Sequence, residues 1–395
     1  MTNLPQGWEV KKLGEIGEIV TGSTPSKSNL DFYGKDYPFF KPSDFEQGYF
    51  LENAGDNLSK LGFDKARQLP PKTILVVCIG SLGKVALTRV IGSCNQQINA
   101  IIPHKNIIAE YIYYYCISSK FQSILFSKAP QTTLAILNKT EFSKLEIIYP
   151  KDIKEQERIV GILDESFAKI DESIKILEQD LLNLDELMQS ALQKAFNPLK
   201  DNAKENYKLP QGWEWKSLGE IANTSSGGTP SRNKKEYWEN GNIKWLKSGE
   251  LNDGYIDFIE ENITEEAIKN SSAKIFQKGT LLIAMYGATA GKLGILNLDS
   301  TTNQAICAFL HKDKNIKFLE KFLFYFLFFL RDKIIKDSFG GAQPNINQTY
   351  IKNLQIPLPP IKEQEQIASH LDELSSHVKN LKQNYQAQIK DLQEL

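Results

Sequence analysis

The chain repeats itself, and that repetition limits the folds open to it more than any other feature. LPQGWE at Leu4–Glu9 returns at Leu209–Glu214, LGEI at Leu13–Ile16 returns at Leu218–Ile221, and GSTPS at Gly22–Ser26 returns as GGTPS at Gly227–Ser231, all in step at an offset of 205. Further on, Thr73-Ile-Leu with Gly80 and Gly83-Lys84 answers Thr280-Leu-Leu with Gly287 and Gly291-Lys292, and Asn95-Gln96 answers Asn303-Gln304 at an offset of 208. IKEQERI at Ile153–Ile159 answers IKEQEQI at Ile361–Ile367, and Leu163-Asp-Glu answers Leu371-Asp-Glu. Two copies of one unit fill nearly the whole chain.

Each copy changes period partway. Up to about Pro150, short β-branched and aromatic runs such as Thr73–Ile79 and, in the second copy, Leu281–Tyr286 are broken by Gly, Pro, Asn and Ser, the pattern of strands and turns. A helical pattern follows. Asp152 and Glu155 form a capping-box signature, and apolar residues recur in 4-3-4-3 steps at Leu163, Phe167, Ile170, Ile174, Leu177, Leu181, Leu184 and Met188. The second copy has the same seam at Ile367, Leu371, Leu374, Val378, Leu381, Tyr385, Ile389 and Leu392, with Pro359 and Pro360 where its helix begins. A helix of roughly 40 residues is about 60 Å long and would expose its apolar stripe if alone, so pairing of the two is the economical arrangement. The expected fold is α+β: two mixed α/β heads separated by an antiparallel pair of long coiled-coil helices, with a pseudo-two-fold internal repeat. The expected boundaries are residues 1–150 and 209–358 for the heads, 151–197 and 359–395 for the helices, and 198–208, LKDNAKENYK with its preceding proline, for a polar linker.

Charge separates along these lines. The chain as a whole is at -1, yet residues 1–150 carry 16 Lys+Arg against 13 Asp+Glu and residues 202–358 carry 20 against 17, while residues 151–201 and 359–395 carry the acidic excess. The heads suit a polyanion better than the helices do. Four isolated cysteines, Cys78, Cys94, Cys116 and Cys307, and the lack of an apolar leader after Met1 point to a reducing cytoplasm. The apolar stretch Phe322–Leu330 falls well short of the ~20 residues that span a bilayer and reads as a buried helix, so no membrane partner is expected.

Catalytic patterns are missing. Gly287-Ala-Thr-Ala-Gly291-Lys292 is one residue short of a phosphate-binding loop and continues into Leu293, so it reads as a tight turn whose lysine is free to reach a phosphate. Neither the methyltransferase pair FxGxG and (N/D)PP(Y/F) nor a metal-spaced His/Cys cluster occurs. His370 and His377 lie seven apart on one helix face, the placing of solvated or partner-facing groups. The charged clusters Lys151–Glu157 and Lys362–Gln366 read either as solvated helix starts or as partner-docking surface, and Trp8 and Trp213 as core anchors.

LPxGW, a GxTPS turn, a GxxGK turn, an NQ pair and a P-x-x-x-EQ-x-I start to a long helix, in that order and twice, resemble the specificity subunit of type I restriction-modification systems. The resemblance covers essentially the whole chain. It implies two target-recognition domains, each reading half of a split site in double-stranded DNA, and helices that act as ruler and as dock for methyltransferase subunits, two in number. It also implies that the chain is not itself an enzyme and binds no cofactor, with S-adenosylmethionine on the methyltransferase subunits and ATP and Mg used by restriction subunits. One departure stands out: the loop Phe339-Gly-Gly-Ala-Gln343 has no glycine in its first-copy counterpart, Lys128-Ala-Pro-Gln131. A non-DNA coiled-coil scaffold binding protein partners is the alternative, and a single-chain modification enzyme a more distant one.

If the heads read different half-sites, residues identical in both cannot tell those half-sites apart. Thr24, Ser26, Lys41, Lys84, Asn95 and Gln96, with Thr229, Ser231, Lys247, Lys292, Asn303 and Gln304, therefore suit turns and DNA-backbone contacts, and of these the four lysines are taken as DNA-binding. Base reading is expected where the copies differ: Lys27, Asn29, Gln97, Gln131 and Thr132 in the first head, Arg232, Asn233, Lys234, Tyr286 and Gln343 in the second.

Overall fold

The β-branched runs between turn residues become short strands in both halves of the computed structural model, which describes residues 4–129, 135–196, 209–312, 317–337 and 346–394. Contacts divide the chain into two units, Met1–Ser173 and Ile174–Leu395. The first unit holds strands Trp8–Lys12 (β1), Gly17–Thr21 (β2), Tyr33–Phe40 (β3), Phe50–Leu51 (β4), Asn57–Leu58 (β5), Ile74–Val77 (β6), Val85–Thr88 (β7), Ser93–Cys94 (β8), Ile98–Pro103 (β9) and Glu146–Pro150 (β10). The second holds Glu214–Ser217 (β11), Ala222–Ser226 (β12), Ile243–Leu246 (β13), Gly254–Ile256 (β14), Asn262–Ile263 (β15), Ile275–Phe276 (β16), Leu281–Ala284 (β17), Leu293–Leu296 (β18), Ser300–Thr302 (β19), Ile306–His311 (β20) and Gln355–Leu358 (β21).

The repeat in sequence is a repeat in topology. A five-stranded sheet runs β2-β9-β6-β7-β4 in one unit and β12-β20-β17-β18-β14 in the other, antiparallel except at the last pair. A smaller sheet, β5-β3-β8 or β15-β13-β19-β16, lies beside it. A two-stranded ribbon, β1 with β10 or β11 with β21, ties the start of each head to the residues just before its long helix. The central strands read as continuous apolar runs because both faces are covered: Ile74 and Val76 point into one core, Leu75 and Val77 into another, and Leu281 and Ile283 alternate likewise with Leu282 and Ala284.

Two long helices, Ile153–Phe196 and Ile361–Gln393, occupy the heptad stretches. Every seam residue of the first, from Leu163 to Met188, is half-buried. In the second helix Leu371 and Val378 are buried, while Leu381 departs from the pattern at 39% exposed. Within the second unit the end of the first helix runs antiparallel to the second: Asp185 pairs with Lys382, and ten residues on Ala195 faces Ile367 across a shared groove. Phe196 closes this packing, its ring 5.3 and 5.6 Å from those of Phe322 and Phe326. The apolar stretch Phe322–Leu330 lies in a helix, Glu320–Lys336, whose Phe322, Leu323, Phe326 and Leu327 are core residues. No helix among the described residues is long and apolar enough to cross a membrane.

The capping box expected at Asp152 and Glu155 is only half made. Asp152 Oδ1 accepts the Lys154 N–H at 3.0 Å, but Glu155 turns forward to Arg158, a charge-assisted bidentate partner stronger than a backbone amide. Residues 198–208 and most of both compared loops, including Gln131, Thr132 and Gln343, lie outside the described residues.

Candidate nucleic-acid interface

The GxTPS turn and the NQ pair, 72 residues apart in the first head, meet. A side chain on Gly22 would sit 2.1 Å from the Asn95 carbonyl oxygen, and one on Gly227 2.0 Å from that of Thr302, so only glycine lets the two segments lie this close. Thr24 then donates to Gln96 Oε1 at 2.5 Å, and Thr229 makes the same bond to Gln304. Asn95 Oδ1 accepts the Gln97 N–H at 3.1 Å and Asn303 Oδ1 that of Ala305 at 3.2 Å, each folding its own turn. Ser26 bonds Ser28 at 2.7 Å, and the Ser231 carbonyl accepts from Trp238. The repeated threonine and glutamine thus hold one another, joining the turn to the NQ pair in each copy.

The four repeated lysines are not free. Lys41 pairs with Asp56, Lys247 with Glu261 at 2.7 Å, Lys84 with Glu46 and Lys292 with Asp253 at 2.9 Å. The last corrects the expectation of a free lysine after the GxxGK turn. Asp253 also takes two bonds from Arg331, whose Nε donates to the Gly291 carbonyl at 2.9 Å. In the first head Gln122 does the same job, its Nε2 2.9 Å from the Gly83 carbonyl. Burial pushes the Asp253 carboxyl up, but the Leu293 amide, Lys292 and Arg331 together outweigh it and hold the group below its ordinary range.

The positions that differ between the copies have varied surroundings. Lys27 is exposed and carries no ion pair among the described residues, and Asn233 is exposed. Arg232 lies over the Trp238 ring at 3.7 Å and the Trp245 ring at 4.8 Å and pairs with Glu261 at 2.7 Å. Lys234 donates to the Tyr237 hydroxyl at 3.0 Å, Asn29 Oδ1 caps a short helix through the Asp31 N–H, and Gln97 Nε2 reaches the Ile79 carbonyl at 3.4 Å. Tyr286 is half-buried against the second core.

Sequence reasoning missed what the EQ and LDE repeats do. Gln156 is fully buried at the start of the first long helix; its Oε1 accepts the Ile108 N–H at 2.9 Å and its Nε2 donates to the Pro150 carbonyl at 2.8 Å. Gln364 repeats this with the Leu319 N–H at 2.8 Å and the Pro359 carbonyl at 2.9 Å. Two turns on, Asp164 accepts from the Tyr114 hydroxyl at 2.5 Å, and Asp372 from the Tyr325 hydroxyl at 2.8 Å and from Lys321. Each head is pinned twice to its own helix. The acid halves of these pins were visible as a repeat; Tyr114 and Tyr325 lie in helices that match in residue type, Tyr-Ile-Tyr-Tyr114-Tyr against Phe-Leu-Phe-Tyr325-Phe, with only the tyrosine itself identical.

The four thiols are buried, and burial raises Cys78, Cys94 and Cys307 to about 12. Among the described residues no group of His, Cys, Asp and Glu could hold a metal ion.

Two heads of one fold, with the same internal bracing but different side chains around the same turn, define a duplicated recognition protein. The chain belongs to the family of type I restriction modification DNA specificity domains, which matches it twice, over residues 5–181 and 210–391. It is 38% identical over 186 residues to the type I restriction enzyme HindI specificity subunit of Haemophilus influenzae, an alignment spanning 45% of this chain and 40% of that one. It is 26% identical over 371 residues to the MjaIX specificity subunit of Methanocaldococcus jannaschii, spanning 90% and 84%. The fold matches the HsdS subunit from Thermoanaerobacter tengcongensis with a TM-score of 0.69 at 20% identity, over 99% of this chain and 95% of that one. A chain from a structural study of complex assembly and conformational transition in the type I R-M system matches with a TM-score of 0.75 at 20% identity, over 100% and 96%.

Proposed function

We propose that the chain directs methylation and restriction to an asymmetric, bipartite DNA sequence, residues 1–150 reading one half-site and residues 209–358 the other. The helices, 151–197 and 359–395 with linker 198–208 between the halves, set the separation at about one duplex turn, ~34 Å. Each head fixes itself by backbone contacts and reads a few base edges. Two methyltransferase subunits dock on the helices, carry S-adenosylmethionine and flip out the adenines they modify. Restriction subunits join through the complex and use ATP and Mg; this chain binds no cofactor of its own and works in the cytoplasm. The observation that supports this most is the pairing of identical bracing with divergent outward side chains at Lys27 and Arg232, the same position in the two copies.

A groove of about 560 Å³ along the two helices, lined by Leu187, Ala191, Ile367, His370, Leu371 and Leu374, suits a methyltransferase contact. Mapping methylated adenines in the host genome with and without this gene tests the reading. Loss of one bipartite motif supports it, and an unchanged methylation pattern sinks it. Arg232→Ala is expected to relax the half-site read by the second head and leave the other half intact, which the same mapping detects.

A further inference from the structure

Counting back from Thr73 and Thr280 without a gap, Ala66-Arg67 aligns with Ala273-Lys274 at an offset of 207. The structure supports this register independently. Thr73 Oγ1 bonds the Pro70 carbonyl as Thr280 Oγ1 bonds that of Gln277, and the next positions, Lys72 and Gly279, both have positive φ. Arg67 and Lys274 therefore occupy the same place in the two heads.

That place borders the repeated turn. The Arg67 N–H donates to Ser23 Oγ, inside GSTPS, at 3.2 Å, and Lys274 Nζ reaches Ser225 Oγ, two residues before GGTPS, at 3.2 Å. Both residues are exposed, and neither has an ion-pair partner among the described residues. This sets them apart from Lys41, Lys84, Lys247 and Lys292, each of which already has a carboxylate of its own head. A cation without a counter-ion gives its full charge to an incoming anion, whereas a paired one must first give up its partner.

The exchange of arginine for lysine between copies keeps the positive charge, which is all that a contact to a phosphate requires, while the missing counter-ion, and not the exchange itself, distinguishes this position from that of Lys27 and Arg232, where Arg232 is paired with Glu261. We infer that Arg67 and Lys274 are equivalent DNA-backbone contacts, one per head, that seat the GxTPS turn against a phosphate. The inference rests on the DNA-reading role proposed above.

The test titrates the full chain with a random-sequence duplex and with a duplex carrying its methylated motif over a salt series. Arg67→Gln and Lys274→Gln should each flatten the slope of log affinity against log salt by about 0.9, and the double variant by about 1.8. Affinity should fall by the same factor on both duplexes, and Arg67→Lys and Lys274→Arg should keep the parent slope. An unaltered slope in a double variant with unaltered far-UV circular dichroism overturns the inference, as does a loss confined to the motif duplex. If the unsubstituted chain binds neither duplex in a salt-dependent way, it is the DNA-reading role that fails.

Discussion

Gln364 shows how a surface-looking motif can be a core device. Its amide is used at both ends, so Gln364→Leu leaves the half-buried Leu319 N–H and the Pro359 carbonyl without their partner, at a cost of about 1–3 kcal/mol. The expected result is a lower urea midpoint for the second unit and faster hydrogen exchange at the start of the helix Ile361–Gln393. Asp253 gives a pH signature. Its folded value lies below the ordinary 3.8, so the stability it contributes is present above that value and is lost as pH falls through the folded one. Asp253→Asn should therefore be less stable than the parent near neutrality, with the gap closing as pH drops from about 5 to below about 3, read from denaturation midpoints across that range. At this scale the sequence was a partial guide. Identity between copies correctly singled out Thr24, Gln96, Thr229 and Gln304 as turn-holding groups, but the same logic put forward four lysines without seeing their carboxylates. Asp56 and Glu261 lie 14 to 15 residues away from the lysines they neutralise, and no local pattern links them.

Among elements, the long helices were the most legible, because a 3.5-residue apolar period survives in any context that buries one face. Their pairing with each other was expected as well, and what the apolar seam did not show was the third partner, the helix Glu320–Lys336. Leu371 is buried beneath the Phe322-containing helix and the end of the first long helix, so Leu371→Ala should cost about 2–5 kcal/mol. Asp185→Asn, which breaks the pair with Lys382, should change stability by less than about 1 kcal/mol, since the Asp185 side chain is 66% exposed. Denaturation of the two variants side by side checks the contrast; a loss from Asp185→Asn as large as that from Leu371→Ala would mean that the ion pair contributes as much as the apolar seam. The failure of the Glu155 capping arm is a local competition, unlike the hidden lysine pairs: Arg158, one turn on, competes for the carboxylate and wins.

For the whole molecule, the proposed ruler makes a length prediction. Adding one heptad to each long helix lengthens it by about 10 Å, close to three base pairs of duplex. The methylated motif should keep both half-sites and gain about that many bases between them, seen by methylation sequencing; an unaltered spacer would detach the helices from the measurement. By itself the sequence determined the duplication, the change from strand to helix in each copy and the apolar seam. These are periodic or repeated features, carried by neighbours along the chain. Only the tertiary structure decided which cations are spent on internal carboxylates, which glutamine and tyrosine pins lock head to helix, and that Arg67 and Lys274 stand unpaired beside the repeated turn. Charge pairing depends on side chains brought together from distant positions, and distance in space is what a linear pattern does not record.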